Sequence, residues 1–570
     1  MEFLNISRRL PKLARATLTR EVVRAAVSAP LAALMWVTEP LFALETTLEP
    51  PESPGAPAAA SHARQPVVEE EPARPIYIRE YRVVGASELP RIEVEEAVYP
   101  FLGPGRTAAD VEQARASLEK AYQAKGYQAA SVEIPPQQAR GGIVVLRVSE
   151  GTVGKLRVKG SRYFLPSAIK AQARSLAEGR VVNFNNVTRD IVGLNQLPDR
   201  QVTPALRAGV EPGTVDIDLT VKDKLPLHGS LELNNRYSAD TTHLRLTGSA
   251  SYTNLWQAGH TIGGSFQTSP EKRDEVKVYS GYYIARLPNV DWLSLMVQGV
   301  KQDSNVNTLG SLAVAGRGEV LGARAIITLP PGKDFFHSVN FGFDYKHFDQ
   351  QVMVGLNSIL TPVTYYPVTA AYTATWAPKG AVTELNAGVT FGVRGVGSRS
   401  AEFENNRFDA DANFIYLRGD LSHTHDLPAG FEAFARVQGQ ISDQPLVNSE
   451  QFAGGGLGTV RGYLEAEVLG DNAVFGTVEF RSPSLFGWMK NHATANEWRV
   501  YVFGDAGTVT LHSPLPEQES SFKLASVGFG SRLRLLNHLN GSIDIALPLI
   551  GQSVTRAGHS FLTFRAWADF

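Results

Sequence analysis

The stretch SVNFGFDYKHF, residues 338–348, indicates the fold class because its side chains alternate between apolar and mostly polar residues. The apolar members are Val339, Phe341, Phe343 and Tyr345, and the intervening residues are Asn340, Gly342, Asp344 and Lys346. A period of two residues is that of a β-strand, whose successive side chains point to opposite faces. One face is apolar and the other carries charge, so this strand separates two different environments.

The same period recurs from residue 225 to the end of the chain. We count sixteen candidate strands, which begin near residues 229, 243, 259, 274, 291, 319, 336, 364, 382, 411, 429, 474, 497, 523, 539 and 561. Alternation suits a sandwich as well as a barrel, so strand number and length must decide. Most strands are about 9 to 14 residues long, enough to cross an outer membrane at the usual tilt. The pattern predicts a transmembrane antiparallel β-barrel over residues 225–570 with charged faces lining its lumen.

The composition excludes several classes of function. The 570 residues include 55 basic and 57 acidic side chains, a net charge of −2, which gives no reason to expect nucleic acid as a partner. The chain has no cysteine, so disulfides, cysteine nucleophiles and thiolate metal sites are absent. We expect no cofactor.

The first 76 residues read as an export signal and a linker. Basic residues precede the apolar run AAVSAPLAALMWV, residues 25–37, which is too short for a spanning helix and suits a signal-peptide core. We therefore expect residues 1–43 to be a signal peptide, with Ala43 as one candidate cleavage position. Residues 44–76 are rich in proline and lack hydrophobic periodicity, which predicts an extended linker.

Residues 77–152 and 153–224 carry the same order of signals twice, which suggests a duplicated unit. Each copy reads strand, helix, helix, strand, strand. A helical stripe in the first copy consists of Val111, Ala114, Leu118 and Tyr122. In the last strand of the second copy, Val215, Ile217, Leu219 and Val221 alternate with Asp216, Asp218, Thr220 and Lys222. That alternation predicts one buried face and one face in water.

The repeated order of elements, together with the short motifs at Val84–Gly85 and Leu194–Pro198, resembles the POTRA domain. The resemblance implies two small α/β periplasmic modules that bind extended chains by adding them to a sheet edge. A three-stranded sheet also leaves edges that can template a partner strand, which supports such binding.

The glycine-rich stretch GGGLGTVRGYLEA, residues 454–466, lies in a long connection, residues 443–472. A phosphate loop is disfavoured because no Lys-Ser or Lys-Thr follows the glycines. The stretch contains the motif VRGY, formed by Val460, Arg461, Gly462 and Tyr463. Two strands later comes a Phe-x-Asp-x-Gly motif formed by Phe503, Asp505 and Gly507, and strand alternation places Asp505 on the lumen face.

These two motifs resemble the paired signature of the superfamily of outer-membrane insertases and two-partner-secretion transporters. The resemblance implies that the connection folds back into the barrel, where Arg461 pairs with Asp505 while Gly462 and Gly507 let the backbones approach. Two modules before sixteen strands is the layout of the TpsB transporters of the ShlB/FhaC/HecB haemolysin secretion/activation type. It implies an outer-membrane translocator, not an enzyme, that exports a large TpsA-like exoprotein, an adhesin or haemolysin, by type V secretion.

The last strand, FLTFRAWADF, ends in an aromatic residue on an alternating pattern. Phe564, Trp567 and Phe570 look like the C-terminal signal by which the barrel assembly machinery recognises outer-membrane barrels; an ordinary final strand is the alternative. The wall of such a barrel would contact outer-membrane lipid.

Other functions remain as alternatives. An insertase that assembles other barrels is disfavoured because 148 residues hold only two modules, and a passive porin or uptake receptor needs no chain-binding modules. The pair of Arg461 and Asp505 could also be an incidental lumen salt bridge. No Gly-x-Ser-x-Gly elbow occurs, and we find no catalytic residues. Residues 409–420 partly match the pattern of a calcium-binding loop, but Phe414 stands at the position where that loop needs glycine. His423 and His425 could both bind a metal ion, but they lack a third ligand.

Overall fold

The computed structural model describes residues 75–570, except for 139, 288–289, 291, 304–305, 310–311, 316, 355–356, 489–495 and 517. The predicted signal peptide and nearly all of the predicted linker lie outside the described residues. The chain divides into two units between Lys224 and Leu225.

The first module begins with a short ribbon that the sequence pattern did not reveal. Its elements are β1 Ile76–Ile78, β2 Glu80–Val84, α1 Arg91–Val98, a 3₁₀ turn Tyr99–Phe101, β3 Gly103–Arg106, α2 Ala108–Ala124, β4 Ser131–Glu133, a 3₁₀ turn Arg140–Gly142 and β5 Ile143–Ser149. Among the described residues β1 pairs only with β3, while the sheet has the order β2–β5–β4, with β2 parallel and β4 antiparallel to β5. The stripe from Val111 to Tyr122 is fully buried against this sheet, as its helical spacing predicts.

The second module repeats the sheet without the ribbon. Its elements are β6 Thr152–Lys159, α3 Pro166–Gln172, a 3₁₀ turn Arg174–Leu176, α4 Phe184–Leu194, β7 Arg200–Ala208 and β8 Thr214–Asp223, with the sheet order β6–β8–β7. Ile217 and Leu219 of β8 are buried in the core with α3 and α4. The prediction that the opposite face of β8 lies in water was wrong for Asp216 and Asp218, which are only 9 % and 3 % exposed. Long basic side chains cover both: the guanidinium of Arg157 lies 3.0 Å from the Asp216 carboxylate, and the ammonium of Lys159 lies 2.7 Å and the guanidinium of Arg207 3.4 Å from the Asp218 carboxylate.

Residues 225–570 form one closed antiparallel sheet in which the last strand pairs with the first. The strands are β9 Leu227–Asn234, β10 Arg245–Leu255, β11 His260–Thr268, β12 Lys277–Arg286, β13 Leu293–Asp303, β16 Arg317–Thr328, β17 Phe335–Val354, β18 Asn357–Tyr365, β19 Val368–Trp376, β20 Ala381–Phe391, β21 Ile415–Asp426, β22 Glu432–Ser442, β25 Asn472–Arg481, β26 Glu497–Thr510, β27 Ser521–Leu535, β28 Leu539–Pro548 and β29 Phe561–Asp569.

Two of these segments together make a single crossing. β18 and β19 both pair with β17, and the register is continuous, with Tyr365 opposite Lys346 and Val368 opposite Phe343. The ladder is interrupted at Pro367, which has no backbone N–H to donate. The N–H of Asp344 still donates to the Pro367 carbonyl at 3.0 Å. The barrel therefore has sixteen crossing strands, as the sequence predicts.

The two faces of the wall are inverted relative to a soluble protein. Phe341 and Phe343 of β17 are more than half exposed, whereas Asn340 and Asp344 on either side of them are buried. Leu321, Val437, Val478, Val502 and Phe529 repeat the exposed apolar position on five other strands. An apolar outer face with polar side chains inside is typical of a barrel surrounded by lipid, and a sandwich would bury the apolar face instead.

The connections differ in length at the two ends of the barrel. We call the end where β9 begins and β29 finishes the near end, and the opposite one the far end. Most of the longer connections lie at the far end, and three of them carry the hairpin β14 Val306–Leu309 with β15 Leu312–Ala315, the helix α5 Ser400–Asn406, and the hairpin β23 Phe452–Gly454 with β24 Val468–Gly470. Short 3₁₀ turns at Pro428–Gly430 and Leu485–Trp488 lie in near-end connections. Among the helices that the structure describes, none is long and apolar enough to span a membrane.

Candidate functional site

The connection between β22 and β25, residues 443–471, folds into the barrel, and we call it the lumen loop. Its hairpin β23–β24 carries a tip, residues 455–467, that contains the VRGY motif. Val460 and Tyr463 are buried, at 0 % and 1 % exposure. They pack with Phe475, Val509 and Leu524, which come from three successive strands of the lumen wall. The tip is therefore seated on the wall by an apolar cluster as well as by charge.

Arg461 is bound to Asp505 through three nitrogen atoms. Its Nε donates to Oδ2 at 2.7 Å, its Nη2 donates to Oδ1 at 2.8 Å, and its backbone N–H donates to Oδ2 at 3.1 Å. Both side chains are almost fully buried, at 4 % and 1 % exposure. This bidentate, charge-assisted geometry is the strong form of an ion pair, and the backbone contact adds a fixed position for the loop.

Two further carboxylates complete the surroundings of Arg461, and the motifs did not identify them. Its Nη1 donates to Glu479 Oε1 at 2.6 Å and lies 3.5 Å from Asp544 Oδ1. Arg481 and Arg532 in turn lie 2.8 Å and 3.5 Å from the Glu479 carboxylate. Glu479 and Asp544 each alternate with apolar residues in their strands, so their lumen position was readable from the sequence. Their meeting with Arg461 was not, because it depends on the register of three strands.

Aromatic rings form the floor under these charges. The Arg461 guanidinium lies over the Phe503 ring, and the Arg532 guanidinium lies over the Tyr501 ring at 4.3 Å. Both rings lie flat across glycines of β27, since a Cβ added to Gly528 would come 2.4 Å from Phe503 and one on Gly530 2.3 Å from Tyr501. The Tyr501 hydroxyl donates to Asp544 at 2.6 Å, which ties this floor to the carboxylates.

The two motif glycines each allow a close approach. Gly462 has φ of +90°, and a Cβ there would lie 3.0 Å from Ala546 and 3.1 Å from Pro548 of β28. Gly507 lies beneath Phe475, whose ring would be 2.1 Å from an added Cβ. The loop backbone therefore approaches the wall at Gly462, while Gly507 makes room for a ring of the apolar cluster.

Tyr463 links two other elements through its hydroxyl. The hydroxyl oxygen lies 2.6 Å from the Ile550 carbonyl and 3.0 Å from the Ala525 carbonyl, and it accepts from the Ala525 N–H at 3.2 Å. Ala525 belongs to β27 and Ile550 to the connection after β28. The fourth residue of the motif thus joins the loop tip to β27 and to the connection between β28 and β29.

Buried charges also hold both legs of the lumen loop, which are the segments that join its tip to β22 and to β25. On the entering leg, Glu450 accepts from Tyr416 at 2.8 Å and pairs with Lys346. On the returning leg, Asp471 is fully buried and is bound by Arg407, whose Nη2 lies 2.7 Å from Oδ2, and by the N–H of His512 at 2.7 Å. The loop is thus fixed at its two legs and at its tip.

The C-terminal residues lie at the closure of the barrel. The N–H of Phe570 donates to the Gly229 carbonyl of β9 at 3.1 Å, and its ring lies over Gly229. Phe570 is 68 % exposed on the outer face. Trp567 instead shares the inner face with Arg565, whose guanidinium lies 4.8 Å from its ring centroid, and Phe564 is half-buried. The three residues therefore do not form one stripe.

The metal alternatives gain no support from the described part of the chain. No group of three or more His, Asp or Glu side chains there could hold an ion. The rings of His423 and His425 stack at 5.8 Å, and His423 Nδ1 lies 2.9 Å from the Thr383 hydroxyl. The Asp409 carboxylate accepts a hydrogen bond from the Ser513 hydroxyl at 2.8 Å, and the Asp411 carboxylate accepts one from the Ser400 hydroxyl at 2.7 Å. Each carboxylate is therefore bound by a serine, and the two do not face each other across a shared site.

Comparison with known proteins gives two matches to described families. Residues 76–151 match the ShlB-type POTRA domain, and residues 213–533 match the haemolysin secretion/activation protein ShlB/FhaC/HecB. Among curated relatives, the heme/hemopexin transporter protein HuxB of Haemophilus influenzae is 21 % identical over 488 residues, covering 82 % of each chain. The outer membrane transporter CdiB of Escherichia coli O6:K15:H31 is 22 % identical, covering 82 % of this chain and 78 % of that one.

Solved structures show the same fold. CdiB from Escherichia coli superimposes with a TM-score of 0.61 at 18 % identity, covering 89 % of this chain and 93 % of that one. BamA from Haemophilus ducreyi lacking POTRA domains 1–3 gives a TM-score of 0.53 at 14 % identity, covering 87 % of this chain and 100 % of that one.

Proposed function

The chain belongs to the haemolysin secretion/activation family ShlB/FhaC/HecB and is an outer-membrane translocator of two-partner secretion with periplasmic POTRA modules, and we propose that its lumen loop is the gate of the conduit. Arg461 and Asp505 would hold this gate in the resting state. The supporting observation is the burial of Arg461 among Asp505, Glu479 and Asp544 on the wall. A chain that crosses the lumen has to displace the tip that these contacts seat.

The energetics suit a gate that stays shut until a partner arrives. Removing one member of a buried ion pair costs about 3–5 kcal/mol, because the other charge is left uncompensated. The tip would therefore leave the wall only if the entering polypeptide supplies other partners for these charges or traps the displaced loop. Seating by several bonds also makes the release cooperative, since the contacts of Arg461 share the same side chain.

The two modules would capture the partner before it reaches the barrel. In the described residues, β2 and β4 of the first module pair only with β5, and β6 and β7 of the second pair with β8, apart from one bridge between Thr152 at the start of β6 and Val181. A sheet with unpaired edges can accept an extended segment by main-chain hydrogen bonding. We infer that the N-terminal region of the partner binds there unfolded, because only an extended or hairpin segment fits a lumen of sixteen strands.

Members of this family secrete large partner exoproteins, and we propose an adhesin-like or haemolysin-like protein as the partner of this chain. Two further contacts are part of the proposal: the barrel assembly machinery during biogenesis, through the C-terminal residues, and outer-membrane lipid around the apolar face. The insertase alternative rests on a fold likeness to BamA, which shows the architecture alone, whereas the family match favours translocation.

The experiment is a proteomic comparison of cell surface and culture medium between cells that have and lack this chain. We expect one large polypeptide to disappear from the outside while other outer-membrane barrels stay at normal levels. A general loss of barrels would instead make the protein an insertase. Within the same assay, Arg461→Ala leaves the tip unseated and unordered inside the lumen, so secretion should fall while the barrel inserts normally, and unchanged secretion would refute the gating role.

A further inference from the structure

The barrel closes through its shortest ladder, which we call the seam. β29 pairs with β9 over five positions, from Arg565 opposite Asn234 to Asp569 opposite Ser230. The other neighbouring crossings pair over eight or more positions. Because ladder hydrogen bonds hold neighbouring strands together, the seam depends more than other strand pairs on additional contacts.

Side chains extend the seam beyond the ladder. Arg565 binds Glu232 across it with two bonds, of 2.9 Å and 2.8 Å. Past the last ladder pair, the backbone N–H of Asn235 donates to the Phe564 carbonyl at 3.4 Å, and its side-chain amide donates to the Leu562 carbonyl at 2.8 Å and accepts from the Phe564 N–H at 2.7 Å. The Asn235 side chain therefore stands in for a peptide group, and it adds ladder-like bonds only while residue 235 is held in position.

The next residue along the chain binds the lumen loop. Arg236 Nε donates to Glu465 Oε1 at 2.6 Å, and Nη2 lies 3.2 Å from Oε2. The two side chains are 13 % and 6 % exposed. The N–H of Glu465 also donates to the carbonyl of Tyr237 at 3.0 Å. Adjacent residues thus face opposite ways, with Asn235 bound to β29 and Arg236 bound to the loop.

Within the loop, Glu465 is seated against the glycine-rich turn. The Leu457 N–H donates to Oε1 at 3.2 Å. A Cβ at Gly456 would come 2.4 Å from the Glu465 carboxyl carbon, so the carboxylate lies where any side chain at 456 would be. Four residues beyond Arg461, the same tip therefore presents a second charged anchor, and this one points to the seam rather than to the wall at β26.

We propose that Arg236 is a positioning residue that couples the seating of the lumen loop to the closure of the seam. The inference rests on the proposed function, in which secretion displaces the loop. When the tip leaves, Arg236 loses its two bonds to Glu465, and the segment 234–237 is released from the loop. Asn235 then loses this support for its orientation toward Leu562 and Phe564, and the seam is left with its short ladder, the Arg565–Glu232 pair and the bond between Phe570 and Gly229.

The absence of natural cysteines allows a direct test in the full-length protein. Leu233 and Ala566 are opposite each other in the seam, so Leu233→Cys with Ala566→Cys reports closure through the rate of oxidative disulfide formation. We expect Arg236→Ala and Glu465→Gln each to change this rate by at least about five-fold, in the same direction. The double variant should change the rate of disulfide formation no more than either single variant, because both substitutions remove the same link.

Two controls isolate the effect. Arg324→Ala removes another buried lumen pair, in which Arg324 Nη2 lies 2.7 Å from Asp344 Oδ2, and it should leave the seam rate unchanged. A second cysteine pair at Leu295 and Ala325, opposite residues of β13 and β16, should not respond to Arg236→Ala.

The possible results separate the coupling from the gate. Equal seam rates in Arg236→Ala and the parent, or additive effects in the double variant, would overturn the coupling even if Arg461→Ala reduces secretion. Unchanged secretion in Arg461→Ala would overturn the gate whatever the seam does. Should Arg236→Ala fail to assemble, Arg236→Lys and Glu465→Gln provide the same comparison, because Lys keeps the charge but loses the two-pronged contact.

Discussion

The guanidinium carbon of Arg461 lies 3.5 Å from the centroid of the Phe503 ring. The face of the guanidinium is therefore used by an aromatic ring, while its edges bind the carboxylates of Asp505 and Glu479. Stacking on a ring and bidentate binding of a carboxylate both require a planar cation. The site is built for arginine specifically, which gives the first prediction.

We predict that Arg461→Lys will reduce secretion nearly as much as Arg461→Ala. An ammonium can satisfy one carboxylate, but it cannot stack on Phe503 and bind Asp505 with two nitrogens at the same time. The loss of bonds to buried charged groups weakens loop seating by about 2–4 kcal/mol. The measurement is the amount of exported partner in the medium, alongside heat-modifiable gel mobility as a check on barrel folding.

Lys301→Ala is the matched control for this variant. Lys301 also pairs with a carboxylate, that of Glu319 at 2.5 Å, but the two side chains are 70 % and 50 % exposed. Exposed pairs contribute little, so secretion should be unaffected. If Arg461→Lys secretes like the parent, charge alone holds the loop and the planar geometry is not needed.

A second prediction separates two glycines of the same loop. Gly462→Ala places a methyl group at a φ of +90° and 3.0 Å from Ala546, whereas Gly458→Ala meets no atom within 4 Å. The first change should weaken seating of the tip by about 1–2 kcal/mol, since non-glycine residues are strained in this backbone region. The second should be silent. Protease sensitivity of the loop in intact cells measures both, and equal sensitivity of the two variants would argue against close packing at Gly462.

A third prediction concerns barrel closure. Phe570→Ala removes the ring that lies over Gly229 and, on the proposal that the C-terminal residues are an assembly signal, should lower the amount of folded barrel several-fold. Trp567→Ala is the comparison, because Trp567 faces inward beside Arg565 and should affect assembly less. Heat-modifiable mobility of outer-membrane fractions measures the folded amount. Normal levels for Phe570→Ala, or a larger loss for Trp567→Ala, would contradict the assignment.

Strand alternation was sufficient to predict the barrel and the lumen position of Asp505, because each strand carries its own period of two. The resemblance of the motifs added Arg461 as the partner. The contacts of Glu479 and Asp544 with Arg461 were not predicted, because the period of two identifies the face of a strand but not its register with the neighbouring strand. That register sets Glu479 opposite Phe503. Register follows from turns and long-range packing that no single segment contains.

Contacts made by flexible side chains could not be predicted from the sequence either. The alternation in β8 placed Asp218 on the open face correctly, but basic side chains from β6 and β7 lie over it and bury it. The bond between Arg236 and Glu465 joins residues 229 positions apart in the chain. Neither residue belongs to a motif, and only the closed barrel brings the first connection beside the loop tip.

The last prediction concerns the first module, where Glu150 is a buried carboxylate, 8 % exposed. It accepts from the backbone N–H groups of Ser87 and Glu88 at 2.6 Å and 2.8 Å, and from the Tyr122 hydroxyl at 2.8 Å. Burial raises the pKa of Glu150, but these hydrogen bonds outweigh burial, and the pKa lies below its ordinary value of 4.5. The charged form therefore ties the segment before α1 to α2.

Because the pKa of Glu150 is lower in the folded than in the unfolded module, its contribution to stability is fully present above the unfolded value of 4.5 and is lost as the pH falls through the folded value. Glu150→Gln should lower the free energy of unfolding by about 1–3 kcal/mol at neutral pH, since it removes a charged acceptor from buried donors. The difference from the parent should shrink below pH 4.5, where the parent carboxylate becomes protonated.

Urea unfolding of the full-length protein in detergent, followed by circular dichroism at the helix band, measures this, because four of the five α-helices in the described residues belong to the modules. Glu95→Gln is the control, since Glu95 only forms a solvent-exposed pair with Arg91 and should leave the curve unchanged. A Glu150→Gln difference that stays constant from neutral pH to pH 3 would mean that the variant acts through packing and not through the carboxylate charge.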